Sequence, residues 1–199
     1  MTTRGMFVLV GALGLAVLSF PALAADPPDF SGSWRLDHAR SDDVKARVKE
    51  ATGSGQVSGG TSPLTILPVP GTKAGVERVE LREEMLKLVD QLDKLDIEHG
   101  PTEIKLFHGD EIARTFYFGR ENFREDFMGR KLKCRSKWNG EQLTLEEEGD
   151  KGRRRVETLT LVPAAGLLIE AVRWEDGLFK KPLEVRLVYT REAAGGKTP

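Results

Sequence analysis

From Leu95 to Thr190 the chain is a series of short runs in which apolar and polar residues alternate, each ended by a turn containing glycine, proline or asparagine. Alternation with period two sends successive side chains to opposite faces of a strand. Residues 95–98 and 103–107 flank Gly100-Pro101, and 112–118 follow Gly109-Asp110. Residues 130–138 and 142–148 flank Asn139-Gly140, the strongest tight-hairpin signal in the chain. Residues 155–161, 167–174 and 183–190 complete the series. Adding a strand around Trp34 gives about eight to nine strands. Hairpins in succession build an antiparallel sheet, and closing it removes the exposed edges. The expected fold is mainly β: an antiparallel up-and-down meander closed into a barrel.

The alternation is interrupted between the first and second strands. Ser41-Asp42-Asp43 offers a helix N-cap with acids in the first turn, predicting a short helix over 42–51. Residues 53–60 are rich in Gly and Ser and read as a flexible segment. Pro63, Pro68 and Pro70 break up the apolar stretch around Leu64. Over 76–92 the period becomes helical. Val79, Met85, Leu86, Val89 and Leu92 fall on one face, and Arg82, Glu83, Glu84, Lys87 and Asp90 lie largely elsewhere. Such a stripe packs on its own domain or meets a partner, and its polar side is not basic enough for an anionic membrane. Residues 41–93 are therefore a helical, Gly-rich insert.

The first residues give an address. Arg4 precedes an apolar run from Met6 to Phe20, and Pro21 precedes Ala22-Leu23-Ala24. This is the layout of a secretory signal peptide over 1–24. The run is short for a membrane span, so no stable span is expected after cleavage. One barrel domain over 25–191 and a disordered tail over 192–199 are expected, in the periplasm or secreted. The lone cysteine excludes an intrachain disulfide, so the core must hold the domain. Cys134 shares a strand face with Leu132, Ser136 and Trp138 and reads as a small buried residue.

Thirty Lys and Arg residues face 31 Asp and Glu. A balance this even argues against nucleic acid as a partner. Lys133, Arg135 and Lys137 face outward opposite Thr144, Glu146 and Glu148 on the hairpin partner, and Arg153-Arg154-Arg155 reads as a solvated run beside them.

Gly32-Ser33-Trp34 resembles the Gly-x-Trp motif that opens the barrel in lipocalins and related calycins. In that superfamily an Arg from the last strand packs across the Trp and closes the barrel. The resemblance makes Gly32, Trp34 and either Arg186 or Arg191 the closure residues here, an arrangement supported by cation–π attraction. The longer opening, Phe30-Ser31-Gly32-Ser33-Trp34-Arg35-Leu36, resembles secreted bacterial lipocalin-like proteins that begin Phe-Ser-Gly-Thr-Trp-Lys-Leu. Ser136 to Gly140 and Glu157 to Leu161 are similar to that group as well. The resemblance implies a lipocalin-like barrel and leaves its activity open.

No catalytic arrangement stands out. His38, His99 and His108 lack metal-ligand spacing, there is no Gly-x-Ser-x-Gly elbow, and no cofactor motif occurs. His99 and His108 flank one hairpin and read as surface residues. Three polar residues share strand faces with apolar ones: Arg114 with Phe116 and Phe118, Glu147 with Leu143 and Leu145, and Glu157 with Leu159 and Leu161. Two readings fit. These residues sit at solvated barrel ends, or they place polar groups inside an apolar cavity, the general design of a small-molecule pocket. In the second reading Arg114, Phe116, Phe118, Trp138, Leu145, Glu157, Leu159, Ile169 and Leu187 line the interior. The function expected is then non-enzymatic binding of a small hydrophobic or amphipathic molecule. The alternative is an envelope or protein-interaction module whose barrel is filled by its own side chains, with an unknown protein partner.

Overall fold

The computed structural model describes residues 27–53, 73–109, 113–126 and 128–192. The signal peptide expected over 1–24, the linker over 53–60 beyond Gly53, the proline-broken stretch and the tail beyond Glu192 lie outside the described residues. The order is β1 (Gly32–Leu36), α1 (Val44–Thr52), α2 (Lys73–Val89), β2 (Lys94–His99), β3 (Glu103–His108), β4 (Arg114–Tyr117), β5 (Asn122–Glu125), β6 (Lys131–Asn139), β7 (Gln142–Glu148), β8 (Arg154–Val162), β9 (Leu167–Glu175) and β10 (Leu183–Arg191).

The strands form one antiparallel sheet in the order β4-β3-β2-β1-β10-β9-β8-β7-β6-β5. β1 pairs with both β2 and β10, which bends the sheet into a nearly closed barrel. Among the described residues no ladder joins β4 to β5. Side chains bridge that seam near its turn: Asn122 Nδ2 donates to Thr115 O at 3.0 Å and Ser136 Oγ donates to Tyr117 O at 2.9 Å.

Among the described residues the strand count is ten, not the eight to nine expected. The missed strand is β5. In Asn122-Phe123-Arg124-Glu125 the alternation is inverted: Phe123 faces solvent, and Arg124 points toward Glu147. A pattern that buries the charge and exposes the ring carries no apolar signal.

Alternation holds elsewhere. Leu132 and Cys134, Leu143 and Leu145, Leu159, Leu168 and Val172, and Val185 and Leu187 are buried on the inner face. Burial, and next Glu147, push the Cys134 thiol up to about 11, so it is a packing residue. Arg135 pairs with Glu148 at 2.6 Å and Lys133 with Glu121 at 2.7 Å on the outer face. The arginine run divides by the same rule. Arg154 points out toward Glu146, whereas Arg155 points in toward Glu157, so the run is not one solvated face.

Asp43 is the N-cap of α1, accepting a hydrogen bond from Ala46 N at 3.0 Å. α1 buries Val44, Val48 and Ala51, and α2 buries Leu81 and Met85. Val79, expected on the apolar face of α2, is 44% exposed, because α2 turns the Leu81 and Met85 side inward. Lys180 N donates to Ala51 O at 2.7 Å and Arg78 Nε to Leu178 O at 2.7 Å. These bonds tie the helix pair to the β9–β10 turn, over one end of the barrel. No helix among the described residues is long and apolar enough to cross a membrane.

The other end is closed by rings. Phe30 is fully buried and stacks on Trp138 at 5.9 Å, with His99 at 6.0 Å. Phe118 meets His99 edge-on at 5.5 Å. Beside them Trp34 is fully buried and donates Nε1–H to Phe30 O at 3.1 Å. The Arg191 guanidinium lies 4.5 Å over the Trp34 ring. Gly32 has φ 134°, and a Cβ there would stand 3.3 Å from Arg191 Nη1, so the close approach needs glycine. Arg186 is not a closure residue. It lies on the outer face and donates to Arg40 O at 3.2 Å.

Candidate functional site

A cavity of about 600 Å³ lies between the helical cover and the barrel interior. α2 and the turn after it bring Leu88 and Leu92, β6 brings Leu132, and β9 brings Trp174. The polar part of its lining includes His108, Arg114, Arg124, Glu147 and Arg155. Arg114 and Arg124 stand at the ends of β4 and β5 away from their bridged turn, so the cavity meets the unpaired seam there.

The polar side chains form one buried ionic cluster. Register explains its assembly. Glu147 pairs across the ladder with Arg155, and Glu157 lies two residues along β8 on the same face. Arg114 Nη2 donates to both oxygens of Glu157, at 3.0 and 2.8 Å. Arg155 Nη2 donates to Glu157 Oε2 at 2.9 Å. Arg124 grips Glu147 at 2.6 Å, and Arg114 Nη1 lies 3.8 Å from the same carboxylate. Behind them Glu170 is fully buried, 3.8 Å from both Arg155 and His108. Burying charge costs free energy unless partners satisfy it, and this cluster satisfies most of it.

The electrostatics follow. Burial works against the charge of Arg114, and Glu157, then Glu147 and Glu170, outweigh it and keep the guanidinium protonated. Burial also opposes ionisation of Glu170. His108, Arg155 and Arg114 reverse that and hold the carboxyl at about 2, against 4.5 ordinarily. Tyr189 is raised well above its ordinary value by burial and by Glu170. A carboxyl depressed on folding contributes stability above its unfolded value and loses it as pH falls toward the folded one. The denaturant midpoint should therefore drop as pH is lowered from about 4.5 toward 2. In Glu170→Gln that part of the slope should vanish, which urea titrations at stepped pH would read; an unchanged slope would place the acid sensitivity elsewhere.

The residues expected inside the barrel divide into four groups. Arg114 lines the cavity, with Glu157 bonded directly behind it. Phe116, Leu145, Leu159 and Leu187 are buried in the barrel core. Phe118 and Trp138 belong to the ring closure at the far end. Ile169 lies on the outer face, opposite the buried Leu168 and Glu170, so the expected phase of β9 was shifted by one residue. The solvated-barrel-end reading of the polar residues does not hold: Glu157 is 1% and Glu147 3% exposed. His99 and His108 are not surface residues, since both rings are largely covered. They sit at opposite ends of the β2–β3 hairpin. Trp174, Arg124, Glu170 and Tyr189 were missed. The run Leu168-Glu170-Val172-Trp174 carried a signal for two of them, masked by the competing Leu167-Ile169 phase.

No known family pattern and no curated protein matches the chain by sequence. Solved structures match it in fold. Fatty-acid-binding protein 1 of Echinococcus granulosus superposes with a TM-score of 0.52, covering 82% of this chain and 98% of that one at 12% identity. The Schistosoma mansoni fatty acid binding protein, solved in complex with arachidonic acid, gives 0.52, with coverages of 82% and 96% and 14% identity. Lipid binding protein 8 of Caenorhabditis elegans, in its apo form, gives 0.51, with 82% and 95% and 13% identity. The chain thus has a β-barrel fold like that of the fatty-acid-binding proteins, with ten strands among the described residues where about eight to nine were expected.

Proposed function

We propose that this chain is an exported, non-enzymatic barrel that holds one small hydrophobic or amphipathic molecule in its interior. The observation that carries this reading is the cavity of about 600 Å³ beside α2, lined by the apolar Leu88, Leu92, Leu132 and Trp174 and by side chains of the ionic cluster. Its size falls within the range of small-molecule sites, and its mixed lining suits a ligand with an apolar body and a polar end. The known binding of arachidonic acid by one barrel of this fold supports the same use here. Export rests on the leader-like sequence of residues 1–24.

The test is native mass spectrometry of the protein recovered from a periplasmic fraction. The expected result is a species beginning near Ala25 with a stoichiometric adduct that is lost on denaturation. A clean apo mass, with no gain on adding lipophiles, would overturn the ligand reading and favour the filled-barrel interaction module. A species retaining residues 1–24 would overturn the export reading alone.

A further inference from the structure

The cavity is shallow. Every strand residue that lines it is the first, second, last or last but one of its strand, and all stand at the end nearest the helical cover. His108 ends β3 and Arg114 opens β4. Leu132 and Arg155 are second in β6 and β8, and Glu147 and Trp174 are last but one in β7 and β9. From these residues to the next ones on the inner face is about 7 Å, the rise of two residues along a strand, and strand tilt shortens it further.

Below that layer the barrel is full. The next residues on the inner face, Leu106, Phe116, Cys134, Leu145 and Glu157, are each no more than 1% exposed. Beyond them Ile104, Leu143 and Leu159 are fully buried. A side chain without accessible surface has no water-sized void against it, so the space does not continue along the barrel axis. Arg114 lies across this floor, bonded to Glu157 and with its guanidinium 6.0 Å over the Phe116 ring. A volume of about 600 Å³ above such a floor, within so low a wall, must spread across the barrel end.

We infer that the cavity takes a compact, ring- or cage-shaped molecule and cannot house an extended alkyl chain. This rests on the reading of the cavity as a ligand site and narrows it to a shape class. A chain standing on the floor soon passes the rim and the leucines of the cover, Leu88 and Leu92. Each later methylene stays in water, without the gain of about fourfold in affinity that burying one brings. A chain that curls to fill the width must freeze its rotors, and a rigid cage has none to freeze.

The experiment is calorimetric titration of the purified protein with hexanol, octanol, decanol and 1-adamantanol. The heads are identical, and the cage of 1-adamantanol offers an apolar surface close to that of hexanol. Affinity should rise by about fourfold per methylene from hexanol to octanol, and by less than about twofold in total from octanol to decanol. 1-Adamantanol should bind about tenfold tighter than hexanol, because it fills the width and loses no rotor freedom. In Ala113→Phe, which puts a ring into the cavity beside the start of β4, 1-adamantanol should lose most of that affinity. Unchanged binding by this variant would put the probe elsewhere and overturn the inference. An undiminished rise through decanol, or 1-adamantanol binding no tighter than hexanol, would also overturn it while leaving the ligand reading intact. The periplasmic adduct gives a second readout: a cyclic compound supports the inference, and a long-chain lipid overturns it alone. Failure of all four probes with a clean apo mass would remove the ligand reading itself.

Discussion

Replacing Trp34 by alanine is expected to lower the unfolding free energy by about 4 kcal/mol, the usual cost of deleting a fully buried large aromatic. Three losses coincide at this position. The indole leaves a cavity in a site with no exposure. Its Nε1–H no longer meets Phe30 O, which stays buried in the ring closure without that donor. Arg191, 4.5 Å over the ring, loses its cation–π surface. A domain of this size has a total stability of only about 5–15 kcal/mol, so the variant should unfold at much lower urea. Trp34→Phe separates the contributions. It keeps most of the packing and loses the hydrogen bond, and should cost about half as much. Urea denaturation followed by circular dichroism reads both variants. A loss below about 1 kcal/mol for the alanine variant would show that the closure does not depend on this ring.

The closure was readable because its parts lie on two continuous strands. Trp34 pairs with Arg191 in the β1–β10 register, and Gly32 stands beside both. Between the two arginines open from sequence, alternation decides: Arg186 shares a face with outward residues of β10, and Arg191 ends the strand next to the indole. The meander was readable for a similar reason. β7 covers residues 142–148 as its alternation predicts, since Leu143, Leu145 and Glu147 all point inward. β5 was not readable, because its signal is an arginine turned inward to meet a glutamate on a strand that is not its neighbour.

The candidate site was half legible for the same physical reason. Arg114 and Glu157 were flagged by sharing faces with apolar residues, but nothing local shows that they point at each other across the interior. Their separation of 43 residues in sequence is bridged only by the curvature of the barrel. Glu170 was lost to a phase error: Leu167 and Ile169 look as apolar as Leu168 and Val172. The outer face there is itself apolar, because Ile169 sits beside Val188, which residues 37–42 cover.

Glu157→Leu is the second substitution with a large expected effect, about 3–5 kcal/mol of destabilisation. Glu157 is 1% exposed and accepts from both Arg114 and Arg155. Removing it leaves Arg114 buried with Glu147 at 3.8 Å as its nearest remaining carboxylate. That is a guanidinium in the barrel interior without the carboxylate that holds it by two hydrogen bonds, and breaking a buried pair in this way is costly. The double variant Arg114→Met, Glu157→Leu removes both charges and restores apolar volume, and it should recover most of the loss. Arg155 keeps Glu170 nearby in that variant. Urea midpoints of the two single variants and the double variant give the coupling between them. A near-neutral Glu157→Leu would mean that water reaches the cluster through the β4–β5 seam and screens it.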